Sequence, residues 1–226
     1  MISKLPQWVE GGAFILALVA GFVNAIGLLS FEHQSVSHLS GTATLLGTSF
    51  FSTSFENVLH LLGILLSFLL GSTIAGFLLH GSTLKLGRHY DTVLFLESAL
   101  LLITLWLLSE GSFYGHFFAS AACGLQNALA TTYSGAVIRT THVTGIFTDL
   151  GIMVGECLRG KRLDKRKVKL FLTIITGFIM GGALGAYCYA QYQFMSLVFP
   201  AGICFFIAVA YRLYSQRPNL THSQRR

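Results

Sequence analysis

Six apolar runs set the outline of this chain: residues 11–31, 58–80, 92–109, 114–133, 168–190 and 194–214. Crossing the hydrocarbon core of a bilayer takes about 20 apolar residues in a helix. Lipid offers no water to the backbone, so a chain that crosses singly must satisfy its polar groups within a helix. The composition agrees. Of 226 residues, 53% are hydrophobic and 11% are charged, and the mean hydropathy is +0.66. A soluble domain carries roughly 25% charge, and nine acids with fifteen bases are too few to wet a protein of this size. Soluble enzymes and nucleic-acid binders are thereby excluded. The expected fold is all-α, a polytopic membrane helix bundle with the lipid bilayer as its first partner. Its 24 glycines suit helices whose backbones approach closely.

The bases orient the bundle. Lys4 precedes the first run, and Lys85 and Arg88 separate the second from the third. Arg159, Lys161, Arg162, Lys165, Arg166, Lys167 and Lys169 precede or open the fifth; Arg212, Arg217, Arg225 and Arg226 close the chain. Six crossings put all of these on one side. The opposite connections, near 54–57, 110–113 and 191–193, hold no base, and Glu56 and Glu110 lie there. By the positive-inside rule both termini are cytoplasmic. This accounts for a pI near 9.3 without nucleic acid. No cleaved leader is expected, because no small-x-small site follows the first apolar run. Cys123, Cys157, Cys188 and Cys204 form no CxxC pair and read as reduced packing residues.

Two further apolar segments, 42–54 and 145–158, are too short to cross alone. Each follows a polar stretch, Glu32 to Gly41 or Ser134 to Gly145. Were both to cross, Lys85 and Arg88 would fall outside, so six crossings are preferred. Arg139, in the second polar stretch, is the one base that the topology leaves at membrane depth.

The chain also repeats itself. Gly21-Phe-Val-Asn24-Ala25 followed by His38-Leu-Ser40-Gly41-x-x-Thr44-x-x-Gly47 matches Gly124-Leu-Gln-Asn127-Ala128 followed by His142-Val-Thr144-Gly145-x-x-Thr148-x-x-Gly151. Phe68-x-x-Gly71-x-x-x-Ala75 matches Phe178-x-x-Gly181-x-x-x-Gly185. The expected units are residues 1–110 and 111–226, each with three spans and one short helix, within one integral membrane domain. Three is odd, so the second unit inserts upside down, giving a 3+3 inverted repeat of the kind many secondary transporters use. Irregular backbone at membrane depth survives only where protein or a water-filled cavity satisfies it. The short helices, expected to start near Gly41 and Gly145 with Ser40 and Thr144 as N-caps, would aim their positive ends at one polar site.

On the blocks Val36-Ser37-His38-Leu39-Ser40-Gly41, Arg139-Thr140-Thr141-His142-Val143-Thr144-Gly145 and Gly124-Leu-Gln-Asn127-Ala128, the chain resembles the YoaK family of bacterial inner-membrane proteins. The resemblance runs from about residue 10 to 214. It implies about six helices and no established activity. Many members of that family carry an acid where this chain has Asn24.

The polar residues carry the functional expectations. His38 and His142 occupy equivalent places. An ionisable group inside the membrane is a functional candidate by default; the plainer role is a neutral ring bonded to a carbonyl. Asn24 and Asn127 suit either a solute or the broken backbone. Thr44 and Thr148 either face the site or bond their own helix carbonyl four residues back. Arg139 replaces Ser35 of the first unit and suits carboxylate or phosphate recognition, unless it pairs with Asp149 or sits in a cytoplasmic-facing loop. Glu97 and Asp149 are the proton-coupling candidates. The expected binding set is thus His38, His142, Asn24, Asn127, Arg139, Ser40, Thr144, Gly41, Gly145, Thr44 and Thr148, with no metal and no cofactor. The leading function is a secondary transporter for a small polar solute, an anion being favoured by the helix ends. The alternatives are an intramembrane enzyme or metal- or cofactor-binding protein built on the His pair, and a channel. A second copy of the chain is a candidate partner. No ATP-binding motif occurs, so primary pumping by this chain is not expected.

Overall fold

The structure is a computed structural model that describes residues 8–30, 33, 35–52, 54–79, 89–134 and 138–215. Lys4, Glu32, Lys85, Arg88, Arg217, Arg225 and Arg226 lie outside the described residues. Among the described residues eight α-helices follow in order: α1 Trp8–Leu29, α2 Leu39–Ser52, α3 Phe55–Leu78, α4 Tyr90–Ser109, α5 Gly115–Ser134, α6 Val143–Leu158, α7 Lys165–Tyr192 and α8 Val198–Ser215. A 3-10 turn, Gln193–Leu197, joins α7 to α8. Each of the six long helices falls on one of the apolar runs, and residues 194–197 of the last run belong to the 3-10 turn. The helix ends are chemically marked. Ser54 accepts from the Asn57 amide at the start of α3, and Asp164 accepts from the Arg166 and Lys167 amides at the start of α7. Helices α4 and α6 stop in the same way: Gly111 (φ 72°) and Gly160 (φ 86°) take the left-handed turn a side chain would resist. Their amides, with those of Ser112 and Lys161, return to the last helical carbonyls.

Trp8–Leu29, Phe55–Leu78, Tyr90–Ser109 and the stretch Lys165–Ser215, which contains α7 and α8, are long and apolar enough to cross a membrane. α5 is not among them. Run 114–133 does form a helix, but His116, Ser120, Gln126, Asn127, Thr131 and Thr132 make it more polar than its neighbours. It bears this because protein surrounds it: α3, α4 and α1 all pack on α5, and His116, Ser120 and Gln126 are almost fully buried.

Packing is most extensive between α1 and α7 and between α3 and α5. Glycine decides both contacts. A methyl at Gly181 would run into the Leu18 carbonyl, and one at Gly21 into the Phe178 carbonyl. At the other interface, a methyl at Gly71 would meet the Ala121 carbonyl, and one at Gly124 the Phe68 carbonyl. Along α7, Gly177 and Gly185 extend the row against the Phe14 and Phe22 carbonyls. Lipid tails are as apolar as leucine, so such close backbone approach, rather than escape from water, holds membrane helices together. Hydroxyls add to it: Ser120 donates to the Ile64 carbonyl (2.9 Å) and Ser72 to the Gly124 carbonyl (3.0 Å).

Two apolar clusters lie toward opposite ends of the bundle. One joins the start of α1 and α7 to the end of α3 and α5, through Val9, Ala13, Leu170, Phe171, Ala75, Leu79, Leu129 and Tyr133. The other joins the end of α1 to the start of α5, through Phe22, Ile26, Ala119 and Ala122. α1 and α3 therefore run in opposite directions, and the segment between them enters and leaves the bundle on one face. The segment between α5 and α7 does the same on the opposite face. Each short helix thus belongs to an arm that leaves the bundle and returns to it on one face, and these segments are termed return arms.

Candidate functional site

The return arms begin earlier than expected. α2 starts at Leu39 rather than 42, and α6 at Val143 rather than 145. Ser40 and Thr144 therefore lie inside the first turn and are not N-caps. His38 and His142 hold the flanking positions: the Gly41 and Thr42 amides return to the His38 carbonyl, and the Ile146 amide to the His142 carbonyl. The extended stretch before α2 is pinned from within. Asn24 is 8% exposed, and its Oδ1 accepts from Ser35 Oγ (2.8 Å), Ser37 Oγ (2.9 Å) and the Ser37 amide (3.2 Å). Ser35 Oγ accepts from the His38 amide in turn (3.0 Å). The second stretch is held differently: Ser134 Oγ accepts from the Ile138 amide (2.8 Å), and Thr140 reaches Gln126 Oε1 (3.5 Å).

Both arms open onto one cavity of about 620 Å³. Ser37, His38, Leu39 and Ser40 line it from the first arm, and Arg139, Thr141, His142 and Thr144 from the second. α3 contributes Phe68 and Ser72, and α5 contributes Asn127, Ala128, Thr131 and Thr132. Six of the expected binding residues thus meet: His38, His142, Asn127, Arg139, Ser40 and Thr144. The first amides of a helix have no partner within it and carry its positive pole, so two such ends and a guanidinium border the same space. Arg139 and both His side chains are exposed to it. The expected pairing of Arg139 with Asp149 is not formed: Asp149 pairs with Lys167 at 3.9 Å, and among the described residues Arg139 has no acidic partner. Asn127 faces the cavity while its Oδ1 is buried with no hydrogen-bond partner, in contrast to the fully used Asn24.

The other expected residues stand apart. Asn24 is spent on the backbone. Thr44 and Thr148 donate to the carbonyls of Ser40 (2.9 Å) and Thr144 (3.0 Å). Gly41 and Gly145 do not line the cavity but make room beside it: a methyl at Gly145 would strike the His142 ring, and one at Gly41 would sit 3.4 Å from His38 Nδ1. Glu97 is 2% exposed within α4, away from the cavity lining, and its Oε2 has no partner. The cysteines are unpaired; Cys123 and Cys204 are buried, whereas Cys157 is exposed near the end of α6, not a packing residue. Among the described residues no three His, Cys, Asp or Glu side chains gather as a metal site. Sequence reading missed Ser37, Thr141, Thr131 and Thr132. The first two flank the paired histidines, and Thr131 lies one helical turn beyond Asn127, which is the signal that could have found them.

Apolar helices packed through glycine, with two shorter helices whose starts border one polar cavity, define a multi-pass α-helical membrane protein. The chain belongs to the family described as protein of unknown function (DUF1275), whose model matches residues 12–210. It is similar to the UPF0700 transmembrane protein YoaK of Bacillus subtilis (strain 168), with 29% identity over 174 residues, covering 70% of this chain and 71% of that one. No solved structure matches it.

Proposed function

We propose that the protein is a secondary transporter for a small anionic solute, bound in the cavity between the two return arms. The observation that carries this reading is the convergence of His38, Ser40, His142, Thr144, Asn127 and Arg139 on one 620 Å³ space. Positive helix ends favour negative charge, and a guanidinium adds a fork that fits a carboxylate or phosphate. Arg139 has no equivalent in the first arm, where Ser35 stands, so the two sides of the site are unlike and a solute with one charged end is oriented.

The 3+3 inverted repeat is part of the proposal. The glycine contacts support it, because they are reciprocal: Gly21 meets Phe178 while its counterpart Gly124 meets Phe68, and Gly181 meets Leu18 while Gly71 meets Ala121. The bodies that move are then not the two sequence halves. Each tight pair, α1 with α7 and α3 with α5, draws on both halves, and alternating access is the rocking of one pair against the other. The placement of the bases supports cytoplasmic termini.

The test begins with a thermal-shift screen of detergent-purified protein against small carboxylates and phosphate esters. A ligand at a hundred times its Kd stabilises by about 2.7 kcal/mol. Hits go on to uptake into proteoliposomes. Saturable uptake by the native protein, lost at least tenfold in Arg139→Ala with insertion intact, is the expected result. Uptake unchanged in that variant would remove Arg139 from the site, and flux that never saturates would replace the carrier with a channel.

A further inference from the structure

Seven bases and two acids occupy residues 156–169, where α6 gives way to α7. Their partners are unevenly distributed. Lys161 pairs with Glu156 (2.7 Å) and Lys167 with Asp149 (3.9 Å). Glu10, at the start of α1, takes both Arg166 (3.6 Å) and Lys169 (2.8 Å). Arg159, Arg162 and Lys165 have no acidic partner among the described residues. Of these three, Lys165 lines a groove of about 460 Å³ on the outer side of the α1–α7 pair. Phe14, Val168 and Leu172 form its wall, and Lys165 and Lys169 stand at its rim. Leu172 is 51% exposed, and no other helix of the described chain covers the groove. From Lys165 to Thr176 the groove follows roughly 16 Å of helix, the depth of a headgroup and the upper part of an acyl chain.

We infer that this groove is a binding site for an anionic phospholipid, its phosphate held at the unpaired Lys165, with Lys169, which also pairs with Glu10, beside it, and one chain laid against Phe14, Val168 and Leu172. The occupant follows from charge complementarity at the rim and from the bilayer that surrounds an apolar helix face at this depth. Basic pockets between membrane helices on the cytoplasmic side hold anionic headgroups for the same reason. The positive-inside rule by itself accounts for bases in a solvated connection, but it gives no ground for a choice between lipids. A groove with a cationic rim and an apolar wall does. The inference stands on residues remote from the central cavity and does not depend on the transport reading.

Native mass spectrometry of the detergent-purified full chain tests it, titrating phosphatidylglycerol and phosphatidylcholine of identical acyl chains. Phosphatidylglycerol adducts are expected to survive activation that strips phosphatidylcholine. Lys165→Gln should weaken phosphatidylglycerol binding about fivefold, the effect of one base near an anionic surface. Leu172→Ser should weaken it further by exposing the chain to a polar wall. Lys165 is exposed and has no ion pair, so its replacement leaves the fold intact, and circular dichroism verifies this. Equal retention of the two lipids, or phosphatidylglycerol binding unchanged in Lys165→Gln with Arg162→Gln, would overturn the assignment.

Discussion

Asn24 and Asn127 occupy equivalent sequence positions and have come to differ in use. Asn24 accepts three hydrogen bonds from Ser35 and Ser37, so the first arm is fastened to α1. Asn127 keeps a buried oxygen without a partner and borders the cavity. Removing a buried partner leaves the groups it served unsatisfied, at about 1–3 kcal/mol for each. Asn24→Ala should therefore lower stability by roughly 2 kcal/mol or more, seen as a fall in Tm of the detergent-purified protein. Asn127→Ala should hold its Tm and lose ligand-induced stabilisation. Equal Tm losses would mean that both asparagines are structural. The sequence pattern marked both residues but could not separate their roles, because the difference comes from Ser35 and Ser37 folding back over eleven and thirteen residues. The threonines show the converse. Thr44 and Thr148 had an ordinary role available, and the local geometry of a helix interior, which needs no distant partner, supplies it.

At the scale of the elements, the apolar runs located the long helices to within a few residues, because helix extent in lipid follows from the chain's own hydropathy. α5 departed from that rule. Its polar side chains are tolerated through contacts with α3, α4 and α1, which a single run of sequence does not reveal. The starts of α2 and α6 also differed, since their N-cap positions fall on His38 and His142 rather than on hydroxyl residues. Small-xxx-small spacing identified faces made for packing, but not which helix met which. The answer, carbonyl on glycine, makes these positions intolerant of size. Overpacking of this kind costs typically 1–3 kcal/mol. Gly71→Leu should loosen α3 from α5, and Gly181→Leu should loosen α1 from α7, each lowering Tm and raising protease cleavage. Gly76→Leu is the control, because nothing lies within 4 Å of a methyl there. A loss at Gly76 as large as at Gly71 would show that the effect is not one of packing.

For the molecule as a whole, Cys157 offers a natural reporter of sidedness. It is exposed near the end of α6, next to the basic connection, whereas Cys123 and Cys204 are buried. With cytoplasmic termini, a membrane-impermeant maleimide should label Cys157 in inverted vesicles and not in intact spheroplasts. Labelling from outside would reverse the orientation. The exchange of partners between α1 and α7, and between α3 and α5, also bears on how the chain is made. When a ribosome has released only the first 110 residues, α1 and α3 are already in the bilayer and neither has met its mate. They must wait, their glycine faces turned to lipid, until α5 arrives to claim one and α7 the other. Assembly is complete only near the end of synthesis, and a truncated product is left with two vacant seams.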